Sequence, residues 1–240
     1  MNSKVWDRFD FRAVSLFSGH TERMQTVKAE FDRVGLEVTP FWGCRTEYDA
    51  VIERNIRHSR MVGNGAYLNI TLKHLQMVKT AYELGSEHAL FFEDDIRFLK
   101  DEDLIEDIVS GLPIDYDVAL FDWVHRNKAT DEDYQNIVNG EKCGGHGLWR
   151  RFKDLRSCAF YALSRRAMAK YVNILSLPAF GMGKLKICDQ HWWDLLSDDW
   201  LKGYCAVPCA GVQGVPGGAS PYDDMWKRYN RSGITRERYA

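Results

Sequence analysis

Three adjacent carboxylates, Glu93, Asp94 and Asp95, follow directly on the apolar run Ala89-Leu90-Phe91-Phe92. The run reads as a short, buried strand beginning at His88. A strand interior has no use for three negative charges, so the acids are expected where the strand leaves its sheet. In open α/β sheets, ligands bind outside the carboxyl ends of the strands. Oxygen ligands held there by a rigid strand suit a hard cation such as Mg²⁺ or Mn²⁺. Side chains alternate along an extended chain, so Glu93 and Asp95 are expected to point the same way. The competing reading is a solvated acidic turn or a helix cap, because most charge runs are solvated faces. Asp101, Glu102, Asp103, Glu106 and Asp107 form a separate run, read as the first turn and outer face of the next helix.

Other reactive side chains fall at the ends of predicted elements. Val118-Ala119-Leu120-Phe121 reads as a buried strand that delivers Asp122 and Trp123 at its end. Ser18-Gly19-His20 turns the chain between a strand near 12–17 and a helix opening at Thr21. Free backbone N–H groups at that helix start, together with Ser18 and Arg23, form a candidate diphosphate cradle. An ordinary helix start explains the same residues. Late in the chain, Asp189 and His191 precede Trp192-Trp193. Asp189 suits a helix cap, and His191 suits either a metal ligand across a cleft or a packed histidine. Trp123, Trp192 and Trp193 suit stacking on a sugar or base, or plain core packing.

These residues need a scaffold, and the hydrophobic pattern supplies one. Met24, Val27, Phe31 and Val34 share a helical face that ends at Gly35. A long helix is expected from about Ala66 to Leu84, closed by Gly85. Asn69 and His74 lie on it, read as satisfied polar groups. A helix over 103–110 ends at the breaker Gly111-Leu112-Pro113. Further strands are expected at 36–41, 157–163 and 204–207, with Ser164 capping a helix over 165–175. Strands alternating with helices predict a mostly parallel, right-handed α/β sheet in a single domain. The stretch 126–148 is polar and rich in glycine, and reads as a lid or a disordered loop. The unit is expected to span 1–214, followed by a basic Gly/Pro-containing tail over 215–240.

Composition narrows the class. The 240 residues are 45% hydrophobic and carry a net charge of −2, so no global field draws the chain to nucleic acid or membrane. The first residues lack an apolar signal core, and no run is long enough to span a bilayer. Six scattered cysteines do not form a disulfide framework. The expectation is a reduced, cytoplasmic protein, including the inner membrane face or, for a viral protein, the host cytoplasm. Local basic clusters at 54–60, 149–156 and 227–238 read as solvated surface or, if they converge on the cleft, as contacts for an anionic acceptor. The oligomeric state is not readable.

Taken together, these pieces resemble glycosyltransferase family 25, the lipooligosaccharide and collagen-type galactosyltransferase group. The resemblance covers about Arg12 to Gly214. Its most specific piece runs from Tyr82-Glu83-Leu84-Gly85 through Ala89-Leu90-Phe91-Phe92-Glu93-Asp94-Asp95. Ser15-Leu16, Glu22-Arg23, Trp42-Gly43, Ala162-Leu163-Ser164-Arg165-Arg166-Ala167, Cys188-Asp189, Pro208 and Gln213 support it. The family commonly has a Ser-His pair in the helix before the acidic strand; here Leu72-Lys73-His74 matches only the histidine. The resemblance implies a GT-A-like, Rossmann-type sheet and hexosyl or pentosyl transfer, with inversion, from a nucleotide-sugar such as a UDP-sugar. It implies Mn²⁺ or Mg²⁺ on Asp95, with Glu93 or Asp94 contacting the ribose or a metal-bound water and His191 completing the site. It places a family aspartate at Asp189, the first candidate for the base that takes the acceptor's proton, with Asp122 second. The acceptor is a glycan hydroxyl, as in lipooligosaccharide, or DNA carrying hydroxymethylated bases. A metal-dependent hydrolase or phosphotransferase and a non-catalytic sugar-binding relic are the readings from other classes.

Overall fold

The computed structural model describes residues 3–16, 21–42, 65–125, 129–176, 192, 195–196 and 201–213. In chain order the strands are β1 (Phe11–Leu16), β2 (Thr39–Trp42), β3 (His88–Glu93), β4 (Ile96–Phe98), β5 (Val118–Leu120), β6 (Val124–His125), β7 (Trp149–Arg151), β8 (Leu155–Arg156), β9 (Phe160–Ser164), β10 (Gly203–Ala206) and β11 (Gly211–Gln213). The helices are α1 (Thr21–Arg33), α2 (Gly65–Glu83), α3 (Glu102–Ser110), α4 (Asp131–Val138) and α5 (Arg165–Ser176). One seven-stranded sheet, in the order β2-β1-β3-β9-β5-β10-β7, organises the described residues into a single α/β unit. β1, β2, β3, β5 and β10 run one way, and β7 and β9 run against them. The sheet is mostly parallel, as expected, but β9 sits antiparallel between β3 and β5 at its centre. Hydrophobic patterning marks a buried strand without marking its direction.

β3 is the middle of the core. Ala89, Leu90, Phe91 and Phe92 are fully buried, consistent with a strand covered on both faces. Phe92 meets Phe31 of α1 at 5.0 Å and stacks on Phe160 at 4.6 Å between ring centroids. Its neighbour Phe91 faces the other way and stacks on Tyr161 at 5.1 Å. Tyr161 in turn meets His74 of α2, so α1 and α2 cover opposite faces. Each fully buried phenylalanine contributes about 1.5–3 kcal/mol from area alone. Trp123 and Trp192 belong to this packing. The Trp123 indole donates to the Ala206 carbonyl at 2.6 Å, and Trp192 lies against Tyr161.

Local chemistry sets the element ends. Gly35 and Gly85 both take positive φ, the conformation that lets α1 and α2 stop. Asp101 caps α3 by accepting from the Leu104 N–H at 3.0 Å. The stretch read as a lid or a disordered loop is ordered over its described part, 129–148. It contains α4, held by a capping box in which Thr130 and Asp133 satisfy each other's backbone N–H groups. It then closes against α3's end, where Gly145 donates to the Gly111 carbonyl at 2.9 Å. Gly144 is required there, because a Cβ would lie 2.1 Å from that same carbonyl oxygen. The strand expected over 36–41 begins instead at Thr39, since Leu36 is still bonded back to Phe31 at the end of α1.

Asp10 ties the start of β1 to that of β3. It accepts from the Ser86 hydroxyl and from the N–H groups of Glu87 at 2.8 Å and His88 at 3.2 Å. Burial pushes its carboxyl up, but the Ser86 hydroxyl and the two backbone donors outweigh that and hold it below its ordinary value. A lowered acid contributes stability above its unfolded pKa of about 3.9, and that contribution is lost as pH falls through the lowered value. Asp10→Asn is therefore expected to destabilise the fold at neutral pH and to make less difference below pH ~3, read from urea midpoints at both.

Candidate functional site

The carboxyl ends of β1 and β3 lie side by side, with Ser15 registered against Glu93. β3 stops at Glu93, and Asp94 and Asp95 form a turn into β4. The strand alternation used to pair Glu93 with Asp95 therefore does not extend past Glu93. Asp94 and Asp95 instead share one guanidinium nitrogen. Arg23 Nη2, from the first turn of α1, lies 3.1 Å from Asp94 Oδ1 and 3.0 Å from Asp95 Oδ2. Both carboxylates are buried, at 2% and 5% exposure, so the solvated-turn reading does not hold for them.

Glu93 has different partners. Its Oε1 is 3.2 Å from His74 Nε2, and its Oε2 accepts from Gln213 Nε2 at 3.0 Å. His74 is fully buried, and its Nδ1 lies 2.8 Å from the Tyr161 hydroxyl. Tyr161, His74 and Glu93 thus form one hydrogen-bonded chain from β9 through α2 to the end of β3. Gln213 belongs to β11, which pairs with β4 in a separate two-stranded ribbon. Lys73, next to His74, is also buried and donates to the Leu16 carbonyl at the end of β1 at 2.7 Å.

Charge is unbalanced around Asp95. Burial, the charge of Glu93 and the charge of Asp94 push its carboxyl well above the usual carboxylate range, against the pull of Arg23 and of the Gln213 side chain. Among the described residues, Asp95 Oδ1 is buried with no hydrogen-bond partner. A buried polar oxygen is normally satisfied. Hard oxygen donors, one of them unpartnered among the described residues, fit a divalent cation in kind. Among the described residues, no compact cluster of three metal-ligating side chains completes such a site. Ser18, Asp189 and His191 lie outside the described residues, as do Trp193 and the tail over 215–240.

Asp122 sits farther along the same sheet edge, at the end of β5, and is fully buried. Its Oδ2 accepts from the Ser157 hydroxyl at 2.5 Å. Of the basic clusters, only 149–156 is described, and its cations divide: Arg151 and Lys153 are exposed, and Arg150 is not. Arg150 is buried and donates to the carbonyls of Val138, Gly147 and Trp149. Arg151 lies over the Tyr204 ring at 5.0 Å. Among the described residues, no helix is long and apolar enough to cross a membrane.

Sequence reasoning found Arg23 and the acid trio but assigned Arg23 to a diphosphate rather than to Asp94 and Asp95. It missed Tyr161, Lys73 and Ser157 as site neighbours. The unmatched Lys73 beside His74 was the available signal, since a lysine on a helix's buried side demands a partner.

No protein-family model matches the chain, and no curated protein matches it significantly. The resemblance to family 25 therefore remains a reading of its motifs. Among solved structures, the chain is similar to a glycosyltransferase involved in the glycosylation of the major capsid of PBCV-1. That likeness has a TM-score of 0.47 at 9% identity and covers 92% of this chain and 98% of that one. It is also similar to A197 from STIV, with a TM-score of 0.37 at 10% identity over 88% of this chain and 97% of that one. Neither likeness is strong enough to carry an argument about function.

Proposed function

We propose that this protein is a glycosyltransferase that moves a sugar from a nucleotide-sugar, a UDP-sugar in the first instance, to a hydroxyl of a glycan. The observation that supports it is the acid trio at the carboxyl end of β3, with Asp94 and Asp95 buried and Asp95 Oδ1 unpartnered among the described residues. Asp95, with Glu93 beside it, would hold Mn²⁺ or Mg²⁺. Such a cation, when bound, stabilises negative charge developing on the phosphate oxygens of the leaving group. Arg23 fixes Asp94 and Asp95 in one orientation. His74 and Gln213 hold the two oxygens of Glu93, which limits its rotation. Asp189, on the family resemblance, and Asp122, which is buried and would act through a neighbouring group, are the acids proposed to take the acceptor's proton, inverting the anomeric carbon. Ser18 and His191 keep their sequence-based assignments to the donor phosphates and the metal. A glycan acceptor is preferred to DNA because the chain carries a net charge of −2, and of the described basic cluster only Arg151 and Lys153 are exposed while Arg150 is committed to backbone carbonyls. DNA would require steep loss of acceptor binding with salt.

Arg23 favours a second reading. It already bridges Asp94 and Asp95, so the fixed guanidinium itself could supply the positive charge, with transfer independent of metal.

The test is thermal shift and transfer with a panel of nucleotide-sugars. A donor at about 100 times its Kd should stabilise the protein by about 2.7 kcal/mol, several degrees in melting temperature. The metal reading predicts that the shift and the transfer both need Mn²⁺ and disappear with chelator. Chelator-insensitive transfer selects the Arg23 reading, and hydrolysis of sugar phosphates without transfer selects a hydrolase. A shift without turnover on any acceptor selects the binding relic.

A further inference from the structure

We propose that Ser157 is a catalytic residue, relaying the acceptor's proton to Asp122; this rests on the glycosyltransferase reading. Ser157 lies between β8 and β9 with φ of 148°, a conformation that residues with a side chain rarely adopt. Such strain persists only where surrounding contacts hold it, and it concentrates at functional sites. Here the contacts are explicit. The Ser157 hydroxyl donates to Asp122 Oδ2 at 2.5 Å and accepts from the Ala159 N–H at 3.1 Å. The Ser157 carbonyl accepts from the Trp192 indole at 2.8 Å.

Asp122 is fully buried, so it cannot meet an acceptor directly. Ser157 is half-buried, which makes it the more accessible residue of the pair. A hydroxyl has one proton to donate and two lone pairs. Asp122 takes the proton and the Ala159 N–H takes one lone pair, which leaves the second to receive a substrate hydroxyl. The dyad also adjoins the acid trio. The Glu93 N–H donates to the Ala159 carbonyl at 3.1 Å, so hydrogen bonds through Ala159 join the end of β3 to Ser157 and Asp122.

The step balances. The acceptor oxygen forms its bond to the anomeric carbon as the bond from that carbon to the diphosphate oxygen breaks, the electron pair leaving with the diphosphate. The acceptor's proton passes to Ser157 Oγ, and the proton of Ser157 passes to Asp122 Oδ2. Asp122 ends protonated and returns the proton to water.

Ser157→Gly is the direct test, because glycine removes the hydroxyl and relieves the positive φ. The expected protein melts no lower than wild type, yet its kcat for a hydroxyl acceptor falls by about 100-fold or more with donor KM unchanged. Azide attacks without a proton to lose, so formation of the glycosyl azide should continue at the wild-type rate. Asp122→Asn carries the same two-acceptor comparison should the glycine variant not fold. Full transfer to a hydroxyl acceptor in Ser157→Gly overturns the relay, as does an equal loss with azide. A wild-type protein inactive on every nucleotide-sugar overturns the glycosyltransferase reading itself, and the relay with it.

Discussion

Asp95→Asn is expected to abolish transfer while raising the melting temperature. The activity loss should be about 10³-fold or more, the scale for removing a group that stabilises transition-state charge. The stability change has the opposite sign because of how Asp95 is placed. Its carboxyl is held well above the ordinary range by burial and by the charges of Glu93 and Asp94. A raised acid contributes its stability below the unfolded value of about 3.9 and loses it as pH rises through the raised one. At neutral pH the wild type therefore lacks the stability it has in acid, because burial and the neighbouring acids disfavour the ionised form more than Arg23 favours it. Asparagine has the same shape, removes the titration, and leaves Arg23 its bridge to Asp94. A gain of about 1 kcal/mol would appear as about 2–4 °C in a chain of this size. The advantage should grow with pH and shrink when Mn²⁺ is present. A lowered melting temperature without metal would show that Arg23 already compensates Asp95 fully. Stability given up for function in this way is common where a site needs unbalanced charge.

Asp117→Ala should produce the largest loss of stability. Asp117 is buried where the starts of β5 and β10 meet the end of β9. It accepts from the Ser164 hydroxyl at 2.8 Å, from Arg166 Nε at 2.9 Å and also from Arg166 Nη2, and from the Lys202 N–H at 2.7 Å. Removing it leaves a buried hydroxyl and a backbone N–H without an acceptor and leaves Arg166 unpaired. Arg166 is about half exposed and is solvated, so the cost comes from the two unsatisfied donors, about 1–3 kcal/mol each. Denaturant unfolding should show the midpoint falling with the slope unchanged. Asp117→Asn keeps part of the acceptor capacity and should lose less. A loss below about 1 kcal/mol in the alanine variant would mean that water replaces the carboxylate. Because Asp117 lies at the amino ends of β5 and β10, the opposite edge from the acid trio, donor binding by the folded fraction should be unchanged.

The two residues differ in how visible they were. Asp95 announced itself, because charge directly after four buried apolar residues has few structural uses. Asp117 stands directly before a buried strand and looked like an ordinary loop acid. Its partners lie 47 to 85 positions away in sequence, and no local pattern encodes them. Helix α4 was hidden for a different reason. Over Asp131–Val138 only Tyr134 is buried, so the apolar stripe is too thin to read, and its stability comes from the Thr130–Asp133 box.

What the sequence determined by itself is the local frame. The apolar face of α1, the long α2 closed by Gly85, the buried strand β3 and the acids at its end all follow from periodicity and from residues with special backbone or charge requirements. What only the tertiary structure decided is how that frame is joined. It set β9 antiparallel in the centre of the sheet, a direction that a uniformly apolar strand does not record. It ended β3 at Glu93, so that Asp94 and Asp95 turned to Arg23 while Glu93 went to His74 and Gln213. It also brought Ser157 to Asp122. Each of these is a contact between distant segments, chosen by which buried polar group could be satisfied once the apolar core had closed.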